Sequence, residues 1–103
     1  MTIIQTLVDR MDDELDGAKR YTELAHKNKM EYPRLADKFI ELAEAELSHL
    51  KVLHAEVSRI IENVKETKGE APPDMLAIYN YEHNKQVERA AKIRQMIAEY
   101  KNA

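Results

Sequence analysis

Residues 35–64 have the sequence LADKFIELAEAELSHLKVLHAEVSRIIENV, which contains a long helical pattern. Apolar residues recur in it every three or four positions, the spacing that places side chains on one face of an α-helix. The stripe consists of Leu35, Phe39, Leu42, Glu46, His49, Leu53, Val57, Ile60 and Val64. The pattern therefore predicts a long amphipathic helix with two ionisable side chains, Glu46 and His49, in the middle of its apolar stripe.

Glu46 and His49 are three residues apart, so both are predicted to point towards the core. Burying an ionised carboxylate without a partner costs several kcal/mol, so some group is expected to compensate Glu46. A metal ion between helices would do this, because Glu-x-x-His is a ligand pair of di-iron carboxylate bundles. The alternatives are an ion pair with Lys or Arg for Glu46 and a core histidine bonded to a carboxylate for His49.

Two further amphipathic helices flank the central one. The predicted helices span about residues 2–28, 33–68 and 74–101. Pro33 suits a first helical position, and Gly69 followed by Pro72 and Pro73 ends the central helix. The chain is thus predicted to be all-α and a single domain over residues 1–103, an antiparallel helical hairpin plus a third long helix.

Each predicted helix has a carboxylate at the centre of its apolar stripe, namely Glu14, Glu46 and Glu82. The first stripe contains Ile4, Leu7, Met11, Glu14, Ala18, Tyr21 and Ala25, and the third contains Met75, Ile78, Tyr79, Glu82, Gln86, Ala90, Ile93, Met96, Ile97 and Tyr100. Glu82 remains open between a metal ligand, a partner of a ligand and an interhelical salt bridge. Gly17 costs about 1 kcal/mol within a helix relative to alanine, which suggests a close neighbour beside Glu14.

Other ionisable side chains fit the stripes less well. A second Glu-x-x-His pair, Glu23 with His26, falls on the far side of the first helix and is predicted to be solvated. His54 and His83 lie off the stripes and are expected at the surface rather than at a metal. Tyr21 follows Glu14 by two turns on the same face, where it could hydrogen-bond a ligand carboxylate, act as a radical trap or simply fill the core.

Counting ligands favours a site shared between two copies. A di-iron site in a bundle needs about four carboxylates and two imidazoles. Glu14, Glu46 and His49 make half of that set, and two copies related by a two-fold axis complete it. We therefore expect residues 2–68 to dimerise into a four-helix bundle. A site within one chain that adds Glu82 is the competing geometry, but it lacks one helix and one histidine.

Composition narrows the chemistry. The chain has no cysteine, which excludes disulfides, iron–sulfur clusters and thiolate metal sites. Oxygen and nitrogen ligands suit iron or manganese, with zinc as a further candidate. The formal charge of −3 argues against nucleic-acid binding, and no apolar run reaches the roughly 20 residues of a membrane span. The N-terminus lacks signal-peptide features, so a cytoplasmic protein is expected.

These motifs resemble the ferritin-like superfamily, specifically its rubrerythrin and encapsulated-ferritin branches. The spacing of Glu14, Ala18 and Tyr21 is similar to that of their first helix. A set of residues in the predicted second helix resembles the second helix of these proteins, namely Arg34, Leu35, Ala36, Phe39, Leu42, Ala43, Glu46 and His49. Residues 75–82 resemble the third helix of rubrerythrins. The chain departs from the rubrerythrin pattern by lacking a fourth helix with its own Glu-x-x-His and the rubredoxin part.

The resemblance implies iron binding by Glu14, Glu46 and His49 at a dimer interface, with ferroxidase or peroxidase chemistry that uses O₂ or peroxide. Two other functions compete with this one. A non-catalytic helical assembly module would pair its stripe carboxylates with Arg89 or with lysines. A metal-binding protein without turnover, such as an iron or manganese buffer, would keep the ligands but not the reaction.

Overall fold

The computed structural model describes residues 3–102 as three α-helices and no strand. They are α1 (Ile3–Asn28), α2 (Pro33–Lys68) and α3 (Pro73–Asn102). The all-α prediction is confirmed. The predicted start of the first helix at Thr2 lies outside the described residues, and α3 extends one residue beyond each of its predicted ends.

Both ends of α2 follow from local chemistry. Pro33 begins the helix, where a missing N–H removes no hydrogen bond. Gly69 ends it with a φ of +85°, and its N–H donates a 2.8 Å hydrogen bond to the carbonyl of Lys65. A left-handed φ costs residues with a Cβ about 1–2 kcal/mol, so glycine is the residue that ends the helix here at the lowest cost.

Short connections at residues 29–32 and 69–72 make neighbouring helices antiparallel. α1 packs on both of the other helices, and it packs more extensively on α2 than on α3. The molecule measures 57 × 21 × 17 Å, and its length is close to the roughly 54 Å of a 36-residue helix such as α2. Within residues 3–102, no helix combines the length and the apolar character that crossing a membrane requires.

The face that α2 buries only partly overlaps its predicted apolar stripe, with Val57 in both. Its buried residues are Ala36, Ile40, Ala43, Leu47, Leu50, Val57 and Ile61. Leu35 and Leu42 of the predicted stripe are instead 47% and 45% exposed. A shift of one residue turns a helix face by about 100°. α2 is apolar over a wider arc than one neighbour can cover, so part of that arc packs inside the chain and part remains open.

The C-terminal end of α3 is fixed to the other helices by polar contacts. The Tyr100 hydroxyl donates a 2.5 Å hydrogen bond to Asp37 Oδ1 on α2. Lys29 Nζ donates to the backbone oxygen of Tyr100, and its ammonium lies 4.4 Å from the centre of the Tyr100 ring. The buried Tyr100 ring therefore joins α3 to α2 and to the connection between α1 and α2.

The middle of α3 is joined to α1. The buried Gln86 amide donates to the carbonyl of Val8 at 3.3 Å and to Asp12 Oδ1 at 3.1 Å. Arg89 pairs with Asp16 at 2.5 Å and with Asp12 at 3.5 Å. Arg89 is thus engaged by the aspartates of α1, and its described ion pairs do not include the stripe glutamates that the assembly hypothesis assigned to it.

Candidate metal centre

Three of the four predicted ligands come together where α1 and α2 pack. Glu14 is on α1, and Glu46 and His49 lie one turn apart on α2. One ligand atom from each side chain lies within 4.8 Å of the other two. His49 Nδ1 lies 3.3 Å from Glu14 Oε2. We call these three residues the Glu/His cluster.

The cluster lies at the edge of the core rather than inside it. The Glu14 side chain is 9% exposed, whereas that of His49 is 60% exposed. The prediction that His49 points into the core is therefore wrong, because α2 buries the neighbouring face. The half-buried Glu46 lies between these two extremes. One side of the cluster is consequently packed, and the other is accessible to ions from solution.

Gly17 makes room for the Glu46 carboxylate against α1. A Cβ at position 17 would lie 3.3 Å from both Cδ and Oε2 of Glu46, closer than ordinary van der Waals contact. The close neighbour expected from this mid-helix glycine is thus the carboxylate of the second helix. The missing side chain lets Glu46 approach Glu14 from across the helix pair.

The two carboxyl groups share a hydrogen bond that moves their pKa values in opposite directions. The pKa of Glu14 is lowered, first by the hydrogen bond with Glu46 and then by His49 and Arg10, against the effect of burial. The pKa of Glu46 is raised by the hydrogen bond with Glu14, by burial and by the charge of Glu14. Glu46 therefore retains a proton more readily than a free carboxyl, a proton that a divalent cation would replace. Two carboxylates and an imidazole fit a metal that prefers oxygen and nitrogen ligands.

The other two predicted site residues lie apart from this group. Glu82 is not one of its members, and its carboxylate lies 4.0 Å from Lys85 Nζ on the same helix. The Tyr21 ring stacks on Phe39 with centroids 6.1 Å apart. Both rings are half-buried. Ligation by Glu82 and a hydrogen bond from Tyr21 to a ligand carboxylate stay predictions.

Arg10 is a neighbour of the cluster that the apolar stripes did not indicate. Its Nη2 lies 3.5 Å from Glu14 Oε1, and its Nη1 lies 3.7 Å from Asp13 Oδ2. The side chain is 62% exposed, so it reaches Glu14 from the solvent side. The signal that could have found it is its position four residues before Glu14, a spacing at which helical side chains meet.

His54 and His83 are not the surface residues that the sequence predicted. Both are half-buried, and their rings stack between α2 and α3 with centroids 4.6 Å apart. The Tyr79 hydroxyl lies 3.0 Å from His54 Nδ1. Burial, followed by the charge of His54, lowers the pKa of His83. These rings bridge α2 and α3 and do not belong to the Glu/His cluster.

The second Glu-x-x-His pair also lies outside the cluster. Glu23 and His26 are both exposed, as expected for the far side of the first helix. His26 nevertheless has a partner, because its Nε2 lies 2.8 Å from the backbone oxygen of Met96 on α3. The same motif therefore has two different environments in one chain, and only the pair on α2 approaches Glu14.

Comparison with protein families gives a match to the family model described as Rubrerythrin, over residues 6–103. The matched region contains the whole Glu/His cluster and all of α2 and α3. Comparisons with curated proteins and with solved structures give no match. The match confirms the predicted resemblance to the ferritin-like superfamily.

Proposed function

The chain belongs to the rubrerythrin family, and on that premise we propose that it binds non-haem iron through Glu14, Glu46 and His49. The observation that carries the proposal is the grouping of two carboxylates and one imidazole within 4.8 Å. Such oxygen and nitrogen donors suit iron, and manganese or zinc would compete for them according to availability.

Each residue of the cluster has a distinct part in this proposal. Glu14 supplies a carboxylate fixed by the packing of α1, since its side chain is 9% exposed. Glu46 supplies a second carboxylate, which the space over Gly17 brings close to the first. His49 supplies a neutral nitrogen on the solvent side. Bound iron would supply electron-transfer chemistry with O₂ or peroxide.

We further propose that a second copy of the chain completes the site. The open part of the α2 surface, next to the cluster, contains the exposed Leu35 and Leu42 and the half-buried Phe39. We call these three residues the open face. Packing two copies through their open faces would remove apolar surface from water. A two-fold axis there would also supply a second set of two glutamates and one histidine, which gives the ligand number of a di-iron bundle site.

In the enzymatic form of this proposal the protein is a ferroxidase. Fe²⁺ is the substrate that enters the cluster, it is oxidised to Fe³⁺, and its electrons pass to O₂ or peroxide. The carboxylates favour the ferric product because their negative charge stabilises the more highly charged ion. Binding without oxidation would correspond to an iron or manganese buffer.

One observation favours a non-catalytic assembly module instead. Arg10 already provides a positive charge 3.5 Å from Glu14, so that carboxylate has a partner without any metal. This alternative is weak for two reasons. Arg10 is 62% exposed, and such surface ion pairs contribute only about 0–1 kcal/mol. The alternative must also account for the second carboxylate, Glu46. A metal ion would engage Glu46 as well as Glu14, which the ion pair of Arg10 with Glu14 does not do.

The test is aerobic addition of Fe²⁺ while ferric absorbance is followed. We expect oxidation by the wild type and its loss in Glu46→Ala and His49→Ala. Glu23→Ala is the matched control, because it changes the other Glu-x-x-His motif, which lies outside the cluster. Equal oxidation by all four proteins would rule out the proposed site. Stoichiometric binding without oxidation would support the buffer, and no binding at all would support the assembly module.

A further inference from the structure

Arg10 is the cation nearest to the deepest carboxylate of the cluster. Its Nη2 is 3.5 Å from Glu14 Oε1, and the two side chains are 62% and 9% exposed. A flexible, solvated side chain thus places its charge beside an anion that is almost completely covered. Its other nitrogen, Nη1, is 3.7 Å from Asp13 Oδ2, so the guanidinium has a second carboxylate nearby on the solvent side.

The charge of Arg10 acts on both carboxylates of the cluster. It favours the ionised form of Glu14 and also that of Glu46, and so lowers the pKa of each. The pKa of Glu46 is raised first by the hydrogen bond with Glu14, then by burial and then by repulsion from the charge of Glu14. Arg10 therefore offsets part of the like-charge repulsion that the metal-free cluster contains.

We infer that Arg10 is a counterion of the metal-free cluster that competes with divalent cations for Glu14. This inference rests on the proposed metal binding. A guanidinium and a divalent cation that approach the same carboxylate repel each other, and the repulsion lowers the affinity for the cation. Because Arg10 is exposed and mobile about several bonds, it can turn towards Asp13 and solvent when a cation binds.

Two measurable properties follow. The affinity of the cluster for metal is lower than its two carboxylates and imidazole alone would give. Added salt weakens the effect of Arg10 on this affinity, because dissolved ions screen the exposed Arg10 charge more than they screen the partly buried carboxylates. Arg10 thus sets the metal concentration at which the cluster fills.

The experiment measures Co²⁺ affinity by its visible absorbance in the wild type, Arg10→Gln and Arg10→Lys. We expect roughly tenfold tighter binding in Arg10→Gln at low salt, a difference that shrinks as salt is added. Arg10→Lys keeps the charge and is expected to bind Co²⁺ about as the wild type does. The control is Arg20→Gln, which removes an exposed charge from the same helix but not from the cluster, and its affinity should not change.

A thermal melt of the metal-free proteins supplies a second readout. Arg10→Gln is expected to melt below the wild type without metal, because the two carboxylates lose their counterion, and to recover on addition of Co²⁺. Unchanged or weaker Co²⁺ binding by Arg10→Gln would overturn the inference but leave the proposed function standing. Absence of Co²⁺ binding by both the wild type and Arg10→Gln would overturn the inference together with the proposed function.

Discussion

Glu46 shares a hydrogen bond with Glu14 and is one of the proposed metal ligands. Its pKa is raised by the hydrogen bond with Glu14, by burial and by the charge of Glu14. The folded chain therefore binds this proton more tightly than the unfolded chain does. The stability that the proton contributes is fully present below the ordinary pKa of a glutamate and is lost as the pH rises through the raised pKa. Once this proton is lost, the metal-free cluster contains two carboxylates that repel each other.

Glu46→Gln should accordingly raise the melting temperature of the metal-free protein at alkaline pH, where Glu46 has lost its proton. The amide can still donate a hydrogen bond to Glu14 but has no charge, so we expect a gain of roughly 0.5–1 kcal/mol in the free energy of unfolding. The same variant should lose metal binding. Glu62→Gln, an exposed position on the same helix, is the control. A metal-free Glu46→Gln protein that melts below the wild type would contradict this interpretation of the carboxylate pair.

Gly17→Ala tests the space that lets Glu46 approach α1. Alanine favours the helix by about 1 kcal/mol, but its Cβ would lie 3.3 Å from Cδ and Oε2 of Glu46. We expect a metal-free protein that is as stable as the wild type or more so, with several-fold weaker Co²⁺ binding because the carboxylate is displaced. Calorimetry and Co²⁺ titration measure the two effects separately. Wild-type Co²⁺ affinity in Gly17→Ala would show that this glycine is unrelated to the site.

At the scale of helices, periodicity and capping residues predicted much of what the structure contains. Pro33 and Gly69 begin and end α2 where the sequence places them. The buried face of α2 was not predictable, because its apolar arc is wide enough for two neighbours and the sequence does not say which half packs within the chain. His49 is exposed because it lies on the half of the arc that does not pack within the chain. His54 and His83 were missed because their contact joins two helices, which a stripe on one helix does not indicate.

The docking of α3 predicts a pH dependence at the alkaline end. Burial, then the hydrogen bond with Asp37, raises the pKa of Tyr100 to about 12. A raised pKa means that the stability contributed by the protonated hydroxyl is complete below the ordinary tyrosine pKa of about 10 and is lost as the pH rises towards 12. We therefore expect the free energy of unfolding, measured in urea, to fall over this range.

Tyr100→Phe isolates that contribution. The variant lacks the 2.5 Å hydrogen bond to Asp37, so at pH 8 it should be less stable than the wild type by about 1–2 kcal/mol. The difference between the two proteins should narrow as the pH rises above 10. Tyr32→Phe, at an exposed position, should parallel the wild type at every pH. A difference that stays constant up to pH 12 would refute the assigned role of the Tyr100 hydroxyl.

At the scale of the whole molecule, the position of the cluster is the reason for proposing that a second copy of the chain completes the site. Glu14, Glu46 and His49 lie where the core meets the open face, and they make half of a di-iron ligand set. A fold with three helices leaves the fourth position of a bundle unfilled. Dimerisation would cover Leu35 and Leu42 and bring the second half of the ligands to the same place.

Leu42→Glu tests that arrangement. A charge in the middle of the open face should convert the dimer to a monomer in light scattering and lower metal affinity, since each monomer keeps only half of the ligands. Val52→Glu is the matched control, because Val52 is 62% exposed on the same helix and lies outside the open face. The shared site would be contradicted if the wild type is a monomer and if Leu42→Glu binds iron with the same affinity as the wild type.

The most direct test of metal binding by the Glu/His cluster is the iron content of protein loaded with Fe²⁺ without oxygen and freed of excess metal. We predict about one iron per chain for the wild type, the same amount for Glu23→Ala, and loss of bound iron in Glu14→Ala and His49→Ala. Equal iron content in the cluster variants and the wild type, or no iron above background in the wild type, would contradict the account.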